Sequence, residues 1–178
     1  MKVRDFKEIT PHRLGQAVFN AWLTKVPSIF ANRLKISFLR TIGANVGSGV
    51  KLGNGLRVLG PANLVLGNNV ALAHNVVLDA RGGLTLHDGV LVGFESVLIT
   101  FTHASNDPYR PVHHQGTVQG PIAVGSNAWL GARCLVLPGA RVGNSSIVGA
   151  MSVVTSDIPD GTVAAGIPAK TIRNRTPA

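Results

Sequence analysis

At 178 residues the chain has room for one domain with a sizeable core, and its 45% hydrophobic content argues against disorder. Only 5% of residues are aromatic while 21 are glycine and 10 proline, which suits an interior tiled by aliphatic and small side chains. The +9 charge is uneven: residues 1–57 hold ten Lys/Arg against two acids, 58–157 four against five, and 158–178 three against one, so the near-neutral centre and the lack of a binding motif argue against nucleic acid.

No apolar run reaches the roughly 18–20 residues of a spanning helix. Leu14 to Phe30 is interrupted by Gln16, Asn20, Lys25 and Pro27, which fits neither a signal peptide nor an anchor. The single Cys134 cannot form an internal disulfide. These features lead to the expectation of a cytoplasmic protein.

Residues 1–41 read as a helical segment. Leu14, Val18, Trp22 and Val26 recur every four residues beside Ala17 and Ala21. Thr10-Pro11 suits a cap and first turn, and Pro27 ends or kinks the helix. A second stretch reads with Ile29, Phe30, Leu34 and Phe38 apolar and Arg33, Lys35 and Arg40 exposed. Two roles stay open for this basic amphipathic segment: covering the end of the following domain, or peripheral contact with the inner membrane face.

From Ile42 the period changes to six. Val124, Leu130, Val136, Val142, Val148 and Val154 stand in register, and Gly125, Gly131, Gly143 and Gly149 follow four of them. Four residues after each aliphatic come Ala128, Cys134, Ala140, Ser146, Ser152 and Ile158. An earlier run, Leu66, Leu72, Leu78 and Leu84, resumes after a two-residue slip as Leu86, Val92 and Leu98. A period of six fits neither a helix nor a hairpin sheet. It fits short strands joined by regular corners, stacked so that neighbouring coils bury a ladder no single hexad could bury. The reading is an all-β solenoid over 42–160, interrupted by a loop at 104–120 and followed by a tail at 161–178. Cys134 occupies a small-residue offset and reads as a buried hydrophobe rather than a nucleophile.

Several motifs are more specific than the period. Thr102-His103 with Asp107-Pro108 lies at the loop, Asn127-Ala128-Trp129-Leu130-Gly131 in the late hexads, and Ser152 through Pro159 and Ala165 through Lys170 at the close. With these the sequence resembles the hexapeptide-repeat acyltransferases over roughly residues 42–175. It is most similar to the maltose and galactoside O-acetyltransferases and the acetyltransferases of exopolysaccharide synthesis. The resemblance implies a left-handed parallel β-helix, a homotrimer, active sites between subunits, and acetyl-CoA as acyl donor.

A thioester is already activated, so acyl transfer needs no metal. It needs a base for the acceptor's proton, donors for the oxyanion and a slot for the pantetheine arm. His103 lies where the period breaks and matches the family's catalytic histidine. It is the candidate base, oriented by Glu95, Asp107 or a backbone carbonyl. His74, Asn75, Asp107 and Trp129 are candidates for holding the acceptor or the thioester; a corner pair for the first two and a subunit contact for Trp129 are the structural alternatives. His113 and His114 read as acceptor contacts or bystanders, and His12 and His87 as surface residues. For CoA, the resemblance points to Gly131, Ala132, Gly149, Ala150, Thr155, Lys170 and Arg173. Ser156 replaces a lysine common among relatives.

The acceptor implied is a hydroxyl of a sugar or saccharide. An amino sugar or antibiotic, or a non-catalytic scaffold, are the alternatives. A metal-binding, carbonic-anhydrase-like reading lacks its histidine spacing, since position 108 is Pro108.

Overall fold

Because the inward residue recurs every six positions, each hexad spans one flat side and delivers the chain to the next. The computed structural model describes residues 11–175, the side chains of 11–13 and 28–30 excepted. The expected Thr10 cap, the His12 surface side chain, and the apolar Ile29 and Phe30 therefore lie outside what is described. The chain winds about six turns of a left-handed parallel β-helix. Its three sheets hold five, seven and five strands and are named faces A, B and C in the order the chain visits them.

Register is strict. Val46, Leu66, Leu86, Val124 and Val142 stack on face A. Leu52, Leu72, Val92, Leu130, Val148 and Ala164 stack on face B. Val58, Leu78, Leu98, Val136 and Val154 stack on face C. All are buried and together form one continuous core. Several corners turn through a left-handed residue. Asparagine, the side chain that tolerates this region best after glycine, fills it at Asn69, Asn75 and Asn127.

The slip at Leu84/Leu86 is a widened corner. Extra residues around Pro61–Asn63 and again around Ala80–Gly83 lengthen the turn from face C to face A. Leu64 and Leu66, like Leu84 and Leu86, then both point inward.

The N-terminal helices, α1 (Pro11–Ala21) and α2 (Ser28–Thr41), cover the first coil. An uncovered coil would leave a row of strand N–H and C=O groups unpaired, and three side chains replace the missing strand. On face C, Asn20 accepts from the Val58 N–H at 2.9 Å and donates to its carbonyl at 2.8 Å. On face B, Asn32 accepts from the Leu52 N–H at 2.9 Å and donates to the Val50 carbonyl at 2.9 Å. On face A, Arg40 Nη2 donates to the Val46 carbonyl at 2.6 Å. Asn32→Ala should therefore cost about 1–3 kcal/mol, the cost of stranding buried backbone groups, measured by urea unfolding.

The covering face of α1 is Gln16, Phe19 and Asn20, not the four-residue apolar stripe. Phe19 is buried against the core, while Leu14, Val18, Trp22 and Val26 are exposed, Trp22 by 76%. The expected faces of α2 also exchange in part: Leu34 is exposed, and Lys35 is buried with its ammonium donating to Asn54 Oδ1 at 3.3 Å. Polar amides win the inner face because the strand edge beneath offers hydrogen bonds that an aliphatic side chain would leave unmet. No helix among the described residues is long and apolar enough to cross a membrane.

At the other end, Thr162–Gly166 adds to face B and pairs antiparallel with Ala169–Asn174, which covers that edge.

Candidate active site

Between faces C and A of the third coil the chain leaves the solenoid. Phe101–His103 and Thr117–Gln119 form an antiparallel hairpin, with His103 opposite Thr117. Thr100 anchors its base: its hydroxyl donates to the Asp79 carbonyl at 2.7 Å and accepts from the Gly82 N–H at 2.8 Å. His103 is exposed at the hairpin end, with its ring edge-on to Phe101 at 5.7 Å.

Beyond His103 the loop is shaped by Gln115 and Asp107. The Asp107 N–H donates to Gln115 Oε1 at 2.9 Å, and Gln115 Nε2 donates to the Arg110 carbonyl at 2.6 Å. The Asp107 carboxylate accepts from the Tyr109 N–H at 2.9 Å, an Asx turn that gives it a local conformational role. Farther along, the rings of His113 and His114 meet at a tilt of 58° with centroids 4.0 Å apart.

The corner between faces B and C is different. The second residue after each inward aliphatic of face B forms a column: Asn54, His74, Phe94, Ala132 and Ala150. His74 Nδ1 accepts from the Asn54 N–H at 2.9 Å, and its ring stacks on Phe94 at 5.7 Å. Asn75 sits in the left-handed region beside it, its N–H donating to the Asn54 carbonyl at 2.8 Å. Above Phe94 the column shrinks to alanine and opens a groove of about 350 Å³ between Phe94, Glu95, Ala132, Arg133, Ala150 and Met151. Gly131 has a structural reason of its own, since a Cβ there would come within 2.6 Å of the Ala150 backbone nitrogen. Behind the groove, burial pushes the Cys134 thiol up from its ordinary value, and the side chain is 1% exposed.

Arg133 donates to Glu95 at 2.7 Å across the groove wall. Within one chain Glu95 therefore lies at the B–C corner, a face away from that chain's own His103. Phe94 and Arg133 were legible only through the column offset, which they share with His74 and with its neighbour Asn75. Trp129 stands outward on face B between Leu91 and Ile147, 46% exposed. Lys170 and Arg173 are exposed on the antiparallel strand at the end of the same face, and Thr155 is exposed after the last strand of face C.

The candidate residues therefore occupy opposite edges of face C. Ser96 to Thr100 crosses that face, roughly 13 Å at ~3.3 Å per residue. The groove column lies before the crossing, and His103 projects beyond it.

Fold, repeat and site together define a hexapeptide-repeat β-helix, the fold seen in acetyltransferase structures. No family model matches the chain. It is similar to galactoside O-acetyltransferase of Escherichia coli, with 34% identity over 117 residues, covering 63% of this chain and 54% of that protein. A galactoside acetyltransferase solved in complex with coenzyme A superposes with a TM-score of 0.80 at 26% identity, over 93% of this chain and 79% of the other. A hexapeptide-repeat acetyltransferase from Vibrio cholerae, solved with acetyl coenzyme A, shares the fold at a TM-score of 0.81 and 21% identity, over 97% and 94% of the two chains. The chain spans about half or less of the length of the curated relatives it matches.

Proposed function

We propose that this protein transfers an acetyl group from acetyl-CoA to a hydroxyl of a saccharide acceptor, with His103 as general base. The acceptor oxygen attacks the thioester carbonyl while an imidazole nitrogen of His103 takes its proton. The C–S bond then breaks, and the CoA thiolate leaves and is protonated. The observation that carries this reading is an exposed histidine held at the end of an anchored hairpin that leaves the solenoid between two coils. The similarity to a galactoside O-acetyltransferase supports both the donor and the acceptor class.

Coenzyme A would lie along the alanine column, over Gly131, Ala132, Gly149 and Ala150. Thr155, Lys170 and Arg173 would face its nucleotide, and Trp129 and His74 would border the acyl and acceptor ends. Since His103 and that column sit at opposite edges of one face, a site containing both draws them from two subunits, as a homotrimer would. The test is release of free thiol from acetyl-CoA across a panel of saccharides, with sedimentation velocity for the assembly. Turnover with amino sugars alone would move the reading to N-acetylation, and failure to bind coenzyme A would leave a scaffold.

The exposed apolar stripe that continues from α1 into the turn after it supports a peripheral contact with an anionic membrane surface. Trp22 and Val26 are exposed beside Lys25 and Pro27, in a segment of strong positive charge. Such a contact would bring the enzyme to lipid-linked saccharides. The protein should float with vesicles containing phosphatidylserine, and Trp22→Ser should weaken flotation. Wild-type protein that stays wholly in the soluble fraction would exclude the contact.

A further inference from the structure

We propose that Arg81 is a positioning residue for His103, acting through Phe101. The inference rests on His103 being the base.

Arg81 belongs to the widened corner of the second coil, directly beneath the hairpin. Its guanidinium is fixed on one side by Asp79, a carboxylate whose side chain is only 4% exposed. Arg81 Nη2 donates to Asp79 Oδ2 at 2.6 Å and Nε to Oδ1 at 2.9 Å, a two-pronged grip that sets the plane of the guanidinium. Those hydrogen bonds also raise the Arg81 pKa further, so the charge is permanent. Against this plane lies the Phe101 ring, with Arg81 Cζ 4.0 Å from its centroid. A cation over an aromatic face at that distance is attractive by roughly 0.5–2 kcal/mol.

Phe101 and His103 are alternate residues of one strand and so share a side of the hairpin. Their rings meet edge to face, at 72° and 5.7 Å. A chain of contacts therefore runs from a buried carboxylate through a fixed guanidinium and a phenyl ring to the imidazole. Within its own chain the His103 ring makes no hydrogen bond among the described residues, and the contact that packs against it there is the Phe101 ring. The extra residues Ala80–Gly83 reach outward far enough to place Arg81 there. The later coils, with an 18-residue spacing from Val124 to Val142, lack this corner.

The test uses Phe101→Leu, Phe101→Tyr and Arg81→Ala in the full chain. Phe101→Leu and Arg81→Ala should lower kcat about 10- to 100-fold, as expected for a misplaced base, with KM for acetyl-CoA within twofold. Phe101→Tyr, which keeps the ring, should recover most of the loss. In a His103→Ala background neither change should lower the residual rate further, a result that a purely structural role would not give. Independently of turnover, the imidazole proton signals of His103, assigned by their absence from His103→Ala, should shift in both Phe101→Leu and Arg81→Ala. Unmoved His103 signals, or full kcat in both variants beside a dead His103→Ala, would overturn the positioning role. Wild-type protein without turnover on any acceptor would sink the transferase reading instead, and the imidazole signals would still decide the contact.

Discussion

His103→Ala should reduce kcat for acetyl transfer by about 10²–10⁴, the usual worth of a general base, while coenzyme A binds as tightly as to wild type. The two effects separate because the residues involved are separate. His103 stands on a hairpin thrown from the C–A corner, whereas the alanine column lies at the B–C corner, a full face away. Removing an exposed imidazole disturbs no core contact, so the unfolding temperature should hold. Stopped turnover with unchanged coenzyme A affinity by calorimetry is the expected pair of results. Loss of coenzyme A binding in His103→Ala would place the histidine in the donor site, and an undiminished kcat would remove it from the chemistry.

Ala150→Trp should abolish coenzyme A binding at its own groove, raising Kd at least about 100-fold, because an indole would fill the channel between Phe94, Ala132 and Met151. Ala150 is exposed, so the fold should tolerate the change. Combined with the first variant, it tests where each half of the site comes from. Coexpressed His103→Ala and Ala150→Trp chains, each inactive alone, should regain a fraction of wild-type turnover. Mixed assemblies then contain interfaces with an intact histidine from one subunit and an open groove from its neighbour. Complementation absent from verified mixed assemblies would confine the site to one chain and contradict the shared-site geometry.

The β-helix was legible because the period of six is a property of the chain itself. Val124 through Val154 recur without a slip, and the only way to bury them all is to stack them. His103 was legible for the complementary reason, as the point where that regularity stops. The slip at Leu84/Leu86 was visible, but not its consequence, a corner that carries Arg81 under the hairpin. The apolar stripe of α1 misleads about orientation. Side-chain periodicity reports which residues are alike, and says nothing of the unpaired strand edge that drew Gln16 and Asn20 inward instead.

Asp107 shows the same division at smaller scale. Its place after His103 suggests a catalytic neighbour, and the structure adds that its Oδ1 closes a turn with the Tyr109 N–H. Glu95 likewise pairs with Arg133, thirty-eight positions away along the chain and one coil away in space. The sequence by itself determined the solenoid, its hexad register and the histidine that interrupts it, since each follows from local repetition and its failure. Only the tertiary structure decided which side chains cover the strand edges, which groups Glu95 and Asp107 meet within the chain, and that the histidine and the groove lie on opposite edges of one face. Those outcomes depend on contacts between coils, and the stacking of coils brings together residues that no local pattern relates.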